Sequence, residues 1–442
     1  MLNHPFLKKL ESYKDLPCLV YKDKSYTYLE LLSEVKNALT KLDGIGGVVG
    51  IWGDYDLRSV ALFLACVEKG MVVVPLLKNE DLKELQDKIS QGQIDYLYDG
   101  NKFTSYQNGK TKHKLINALQ NQSGLILFSS GSTGKPKAMV HNLDSILSVY
   151  LDKKHKAINT ILFLMFDHIG GLNTLFNVLA MGACGVAFKE RKNVELLAQN
   201  IEKYGVALLP ASPSLLNLLL ISGVKDRYDL SSLRLITYGT ERMSDSLLVR
   251  LKTEFPRVRF QQTFGTSEVG IAQTTTKGNQ IKLEGMEYKI INNELYLKSK
   301  TRSLGYLNAD NSVFDDEGYF ATGDLVEENA EGYIKIIGRS KELINVGGEK
   351  VVPQEVEGVI LELDFVQDCL AYAKSNAISG QSVCVKIVLK PSWNFSKPEL
   401  KKEIRKHCKD KLATYKIPTQ VELADNLELS ERFKKVRPNQ KP

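Results

Sequence analysis

The chain is predicted to be an α/β protein: a large N-terminal domain of two doubly wound sheets with a small β subdomain, followed by a small α+β domain. Three observations carry that expectation. Apolar runs of strand length alternate with amphipathic helical stretches twice over, up to about residue 98 and again from about 124 to 262. This is the rhythm of parallel strands with covering helices. From about 269 to 337 helical periodicity vanishes, and short strand patterns alternate with Gly and Asn turns. After Gly338-Arg339-Ser340-Lys341 the pattern becomes compact α+β. The expected division is a large domain over 1–338, a hinge over 339–341 and a small domain over 342–442. With 442 residues, 43% of them hydrophobic, the chain can bury several cores.

In the first series, Leu29, Leu31, Leu32, Val35 and Leu39 recur at helical spacing. Strands follow over 48–52, 72–76 and 96–98, with helices over about 56–69 and 81–91, then a polar linker to about 123. In the second series Asn142 reads as the N-cap of a helix to about 151. Strands are expected over 161–166, 185–188, 206–209, 233–237 and 258–262. The helices between them begin near Gly171, span 194–204, open on Pro213 in a first turn, and span 245–254. The β subdomain should hold strands over 286–291, 294–298, 318–321 and 332–337. The last part reads as a helix from Pro353, strands near 370–373 and 383–389, and a basic helix over about 398–412.

Composition excludes several classes. The N-terminal residues carry no long apolar run, so no signal peptide is expected. The most apolar stretch, 158–188, holds Asp167 and His168, which argues for buried core and against a transmembrane segment. The six cysteines are scattered with no C-x-x-C pair, which suits a reducing, cytoplasmic location without disulfides or structural zinc. Net charge is +7, and from Lys397 onward 13 Lys/Arg face 7 Asp/Glu, an excess of 6. That surface is either a solvated lysine face or a dock for an acidic partner. Nucleic acid is not expected, because aromatics are sparse there.

Five stretches carry chemistry. An apolar run, 126–128, leads into Ser129-Ser130-Gly131-Ser132-Thr133-Gly134-Lys135-Pro136-Lys137. Small residues let several N–H groups converge on an anion. The hydroxyls and Lys137 add donors and charge, so the loop suits a polyphosphate. A flexible linker needs neither the strand nor the lysines. A Walker A loop would need Gly at 129 and a hydroxyl at 136, where the chain has Ser129 and Pro136. Thr263-Phe264-Gly265-Thr266-Ser267-Glu268 follows a strand, where sheet ligands bind. Phe264 could stack a flat base and Glu268 could hold Mg²⁺; a core Phe and a surface Glu are the bland alternative. Thr322-Gly323-Asp324 ends a strand on a carboxylate that could accept ribose hydroxyls, or form an Asx turn. Arg339-Ser340-Lys341, with Gly347-Gly348 beyond, joins the two fold patterns. Phe433-Lys434-Lys435 lies near the chain end, where a basic tail is the simple explanation.

In this order the stretches resemble the adenylate-forming superfamily: acyl- and aryl-CoA synthetases, firefly luciferase and the adenylation domains of nonribosomal peptide synthetases. The resemblance spans nearly the whole chain. It implies that a carboxylate attacks the α-phosphate of Mg·ATP to give acyl-AMP and pyrophosphate, and that a thiol then releases AMP. It makes Ser129 to Gly134 with Lys137 the phosphate loop and Gly239-Thr240-Glu241 an adenine-side loop. Phe264 flanks adenine, Gly265 beside it belongs to the nucleotide-binding set, Ser267 lies near the α-phosphate and Glu268 binds Mg²⁺. Asp324 and Arg339 hold the ribose. Lys434, with Lys435 as alternative, is the mobile catalytic lysine. The small domain is implied to swing about Lys341, bringing Gly347 and Gly348 to a thiol tunnel. Phe433 stands where the family usually has glycine, Ser267 replaces a usual threonine, and Ala138 a usual glycine.

Phe166-Asp167-His168-Ile169-Gly170-Gly171 resembles the family's acid-pocket stretch. His168 then contacts the carboxylate, or is a core histidine. Ile169 falls where amino-acid activators carry an Asp for the substrate amine, which favours a fatty or aromatic acid. The chain ends eight residues after Lys434, so no fused carrier domain is expected, and the acceptor is CoA or the phosphopantetheine of a separate acyl carrier protein. A stand-alone amino-acid adenylation enzyme and a luciferase-like oxygenase are the alternatives.

Overall fold

The computed structural model describes residues 2–78, 81–106, 111–129, 136–430 and 433–438. Its mixed α/β architecture has a large N-terminal and a small C-terminal domain, as expected. Runs such as Val48–Trp52 and Val72–Leu76 are almost wholly buried, and β-branched residues buried on both faces are what a parallel sheet requires. In the first sheet the order is Gly305–Tyr306, Lys137–Asn142, Gly124–Ser129, Val72–Leu76, Val48–Trp52, Tyr96–Tyr98, Phe103–Ser105. Its four central strands, Gly124–Ser129 through Tyr96–Tyr98, run parallel. Asp56 caps the crossover helix Leu57–Glu68 by accepting the Ser59 N–H at 3.1 Å, and Thr27 and Glu30 form a capping box on Tyr28–Lys41.

The second sheet runs Arg259–Gln262, Leu235–Tyr238, Leu208–Ala211, Asn159–Ile161, Cys184–Ala187, Pro17–Tyr21, Lys24–Thr27. Its edge is a surprise. Pro17–Tyr21 precedes the whole first series, yet pairs parallel with Cys184–Ala187. That pairing joins segments over 160 residues apart, and no local periodicity announces it. The third sheet is antiparallel, from Phe264–Thr266 to Glu287–Ile291, and includes Phe320–Glu328 and Ile334–Arg339. The fourth holds Glu349–Val351, Ile344–Val346, Gly380–Leu389 and Val366–Asn376, with Gln420–Leu423 alongside. Helices Pro353–Ile360 and Lys397–Lys409 cover it.

Several elements differ from expectation. The polar linker contains strand Phe103–Ser105 and the short helix Lys114–Asn117. Residues 137–142 form a strand antiparallel to Gly124–Ser129, with Lys137 opposite Ser129. Asn142 does cap the next helix, which stops at Ser148. The strand expected over 161–166 is only Asn159–Ile161. Thr322-Gly323-Asp324 lies inside Phe320–Glu328 instead of ending a strand; it forms an irregularity there, where pairing with Glu294–Lys298 shifts register and Gly323 adopts φ +72°. Among the described residues no helix is long and apolar enough to cross a membrane. Cys18, Cys66, Cys184, Cys369, Cys384 and Cys408 are unpaired and buried.

Candidate active site

A cleft of about 630 Å³ opens where the second and third sheets meet the small domain. Gly239, Thr240 and Glu241 line it from the loop after Leu235–Tyr238, and Phe264 and Gly265 from the start of the third sheet. Asp324 and Arg339 come from adjacent strands, and Lys434 from the tail. Residues separated by nearly 200 positions therefore share one cavity at the carboxyl ends of parallel strands, where open α/β sheets bind ligands.

Local structure explains the shape. A Cβ at Gly239 would sit 2.7 Å from Thr263 Oγ1 and 2.8 Å from Thr263 O, so only glycine lets these loops approach. Thr240 holds φ +70°, a strained conformation for a β-branched residue. Asp324 is 4% exposed and lies directly across the ladder from Arg339, whose Nε donates to Asp324 Oδ1 at 3.0 Å. Burial raises the Asp324 carboxyl above the usual carboxylate value, and Arg339 and Lys434 pull the other way. Glu294 Oε1 accepts the Gly323 N–H at 2.9 Å and so supports the turn that presents Asp324.

A second cluster adjoins the cleft. Tyr306 Oη donates to Glu268 Oε1 at 2.7 Å, and Lys137 Nζ lies 5.5 Å over the Tyr306 ring. Glu268 is near enough to Arg339 to favour its charge. Lys137, the carboxylate and the cleft are thus electrostatically connected. Among the described residues no group of three or more His, Cys, Asp or Glu could hold a metal ion by itself. Glu268 fits a Mg²⁺ held by one carboxylate, phosphate oxygens and water.

Other expected site residues fall elsewhere. Ser130, Gly131, Ser132, Thr133 and Gly134 lie outside the described residues; Ser129 ends its strand beside Lys137. Ser267 and His168 do not line the cleft. His168 caps helix Ile169–Ala180, its Nδ1 accepting the Gly170 N–H at 3.1 Å. Gly347 and Gly348 turn a hairpin with φ +61° and +94°, exposed and away from the cleft. Lys341 is exposed within the turn Ser340–Glu342.

The alternative candidate lysine, Lys435, is held by the small domain. Lys435 Nζ donates to Asp368 Oδ1 at 2.6 Å and to the Cys369 carbonyl at 2.9 Å. Burial opposes its charge, but Asp368 and Glu357 outweigh that and hold it above the usual lysine value. Next to it, Arg437 bonds Glu357 at 2.6 Å. Among the cleft residues not anticipated is Gln262. Gln262 is 4% exposed, and its Oε1 has no hydrogen-bond partner among the described residues. An acceptor buried in that state suits a ligand N–H. Its strand, Arg-Phe-Gln-Gln over 259–262, does not single it out in the sequence.

The profile of the AMP-binding enzyme family matches residues 6–339, and that of the AMP-binding enzyme C-terminal domain matches residues 355–434. Acyl-CoA synthetase 7 of Caenorhabditis elegans is 29% identical over 335 residues, 68% of this chain. The chain spans only about three fifths, 61%, of the worm protein's length. A 2-succinylbenzoate–CoA ligase of Staphylococcus epidermidis is 26% identical over 90% of this chain and 89% of its own. The fold is that of an anthranilate CoA ligase crystallised with anthranoyl-AMP, with TM-score 0.84 at 20% identity over 98% of this chain and 96% of the other.

Proposed function

Because the chain belongs to the AMP-binding enzyme family, we propose that it activates a carboxylic acid with ATP and passes the acyl group to a thiol. The observation that carries this reading is the convergence of Gly239–Glu241, Phe264, Asp324, Arg339 and Lys434 on one cleft. Phe264 flanks the adenine and Gln262 offers its free acceptor to the base edge. Asp324, held by Arg339, takes the ribose hydroxyls. Lys137 and the Ser/Gly loop hold the outer phosphates, Ser267 lies near the α-phosphate, and Glu268 is the site for Mg²⁺, which when bound neutralises phosphate charge.

A carboxylate oxygen attacks the α-phosphorus, the bond to the pyrophosphate oxygen breaks, and acyl-AMP forms. The thiol then adds to the acyl carbon and AMP leaves. Positioning and charge stabilisation supply the acceleration. Lys434 bridges the carboxylate and α-phosphate in the first step. Lys435 is committed to Asp368 and Cys369, which supports Lys434 for that role. Ile169 is buried in the apolar core, and an amino-acid substrate's ammonium would lack a partner there. A fatty or aromatic acid is the better fit. The acceptor is CoA or the phosphopantetheine arm of a separate carrier protein, in the cytoplasm.

The test is pyrophosphate release over a panel of aliphatic, aromatic and amino acids, repeated with CoA and with carrier protein. Lys434→Ala is expected to lose about 3–4 kcal/mol in adenylation, roughly 10²–10³-fold, while thioester formation from supplied acyl-AMP persists. Lys435→Ala is expected to cost about 1–3 kcal/mol of stability through its broken bonds. A larger adenylation loss in Lys435→Ala than in Lys434→Ala would reverse the assignment.

A further inference from the structure

The residue before Lys434 is buried and strained at once. Phe433 is 2% exposed, though it lies on a tail a few residues from the end of the chain. Its ring sits in the core of the second sheet, among residues that include Ala211, Leu215 and Tyr238. It packs on Phe163 with ring centroids 4.8 Å apart and planes tilted by 59°. The tail thus plugs into the large domain, while Lys435 and Arg437 are bonded to the small domain through Asp368 and Glu357.

The backbone supports the same picture. Phe433 holds φ +52°, a left-handed conformation that glycine adopts freely and a side chain resists. Contacts from the large domain hold it there. Ser212 Oγ donates to the Phe433 carbonyl at 2.9 Å, and Ser212 is itself fixed as the N-cap of helix Pro213–Ile221. Glu241 Oε1 accepts the Lys435 N–H at 3.0 Å, while its Oε2 accepts the Ser214 hydroxyl at 2.6 Å. The Phe433 N–H donates to the Ser430 carbonyl at 3.0 Å, and the Lys434 N–H to Ser430 Oγ at 3.1 Å. The backbone on both sides of Lys434 is therefore pinned, with Lys434 lining the same cleft as Asp324.

We propose that Phe433 is the positioning residue for Lys434: its ring, seated against Phe163, locks the tail in the pose that sends Lys434 into the cleft, and the ring must withdraw before the small domain can move. The proposal rests on the assignment of Lys434 to adenylation. A glycine at 433 would take the same φ at no cost but would leave the tail unanchored. Phenylalanine accepts backbone strain in exchange for a seat in a core, so the adenylation pose becomes the resting state of this chain.

The test uses the full chain and measures each half-reaction separately, with amide hydrogen exchange over residues 428–437. Phe433→Ala and Phe433→Gly are expected to lower the adenylation kcat by about 10- to 100-fold, the scale of a misplaced catalytic group. The KM for ATP should change little, and thioester formation from supplied acyl-AMP should stay the same or speed up. Phe433→Leu should restore most of the rate, and Phe163→Ala, on the other side of the seat, should copy Phe433→Ala. Exchange at the Lys435 N–H should rise in the slow variants. Equal losses in both half-reactions, or normal adenylation in Phe433→Ala, would overturn the proposal. If Phe433→Ala does not fold, Phe433→Gly and Phe163→Ala decide, since normal adenylation in both would also overturn it. Lys434→Ala run in parallel separates the two readings. Normal adenylation there ends the Lys434 assignment, whereas slow Lys434→Ala beside normal Phe433→Ala ends only the role of the ring.

Discussion

His141 sits fully buried in strand Lys137–Asn142, and neither ring nitrogen has a hydrogen-bond partner among the described residues. Burial pulls its pKa down to about 4 from 6.5. The folded protein therefore keeps the imidazole neutral, while the unfolded chain takes up a proton below about pH 6.5. Stability is complete above pH 6.5 and falls as pH drops towards 4, by about 2 kcal/mol at pH 5. Urea unfolding of His141→Leu should show a flatter pH profile between 7 and 5 than the parent protein. Equal slopes would mean that the ring finds a partner or solvent in the folded state. The same desolvation logic applies to the tail: the buried Lys435 ammonium stays charged because Asp368 and Glu357 are there, and removing Asp368 would strand it.

Elements are docked by close approach as much as by apolar area. Helix Ile169–Ala180 meets its neighbours through Gly171, where a Cβ would fall 2.0 Å from Met165 O and 2.5 Å from Tyr55 Oη. Gly171→Ala should cost about 1–3 kcal/mol as the helix is pushed off its seat. Gly358 is the contrast. It lies inside helix Pro353–Ile360 with nothing within 4 Å of a Cβ. Gly358→Ala should stabilise by about 0.5–1 kcal/mol, because alanine loses less backbone freedom on folding. Denaturant midpoints of the two variants should move in opposite directions. Movement in the same direction would show that the packing around one of them is misjudged.

For the whole molecule, the cleft exists only while the small domain rests on the large one. The chain passes between them at Arg339, which pairs with Asp324, and through the turn Ser340–Glu342 to Ile344–Val346. Gly347 and Gly348 lie away from the cleft in this arrangement, so a role in thiol transfer requires the small domain to turn. Lys341→Pro would fix φ in that turn. It is expected to leave adenylation within about threefold and to cut thioester formation by about tenfold or more. Parallel loss of both steps would argue against rotation about this residue. The positive excess after Lys397 lies on the domain that would move, as expected if it meets an acidic acceptor.

Much of this was legible from residue order. The strands 48–52, 72–76 and 96–98 and the helix 245–254 are local events, set by runs of apolar side chains, caps and breakers, and they lie where the pattern placed them. The residues Gly239–Glu241, Phe264, Asp324, Arg339 and Lys434 were picked out by their resemblance to family motifs, and they do line one cleft. Periodicity could not show that Pro17–Tyr21 crosses to the second sheet, or that 137–142 is a strand. Nor could it show that Gln262 faces the cleft with a free acceptor. It was equally silent on the bonds that hold Lys435 and on where Phe433 hides its ring. Local sequence determines which conformations a segment favours. Which distant groups meet, and which are left buried without a partner, is decided only when the whole chain packs.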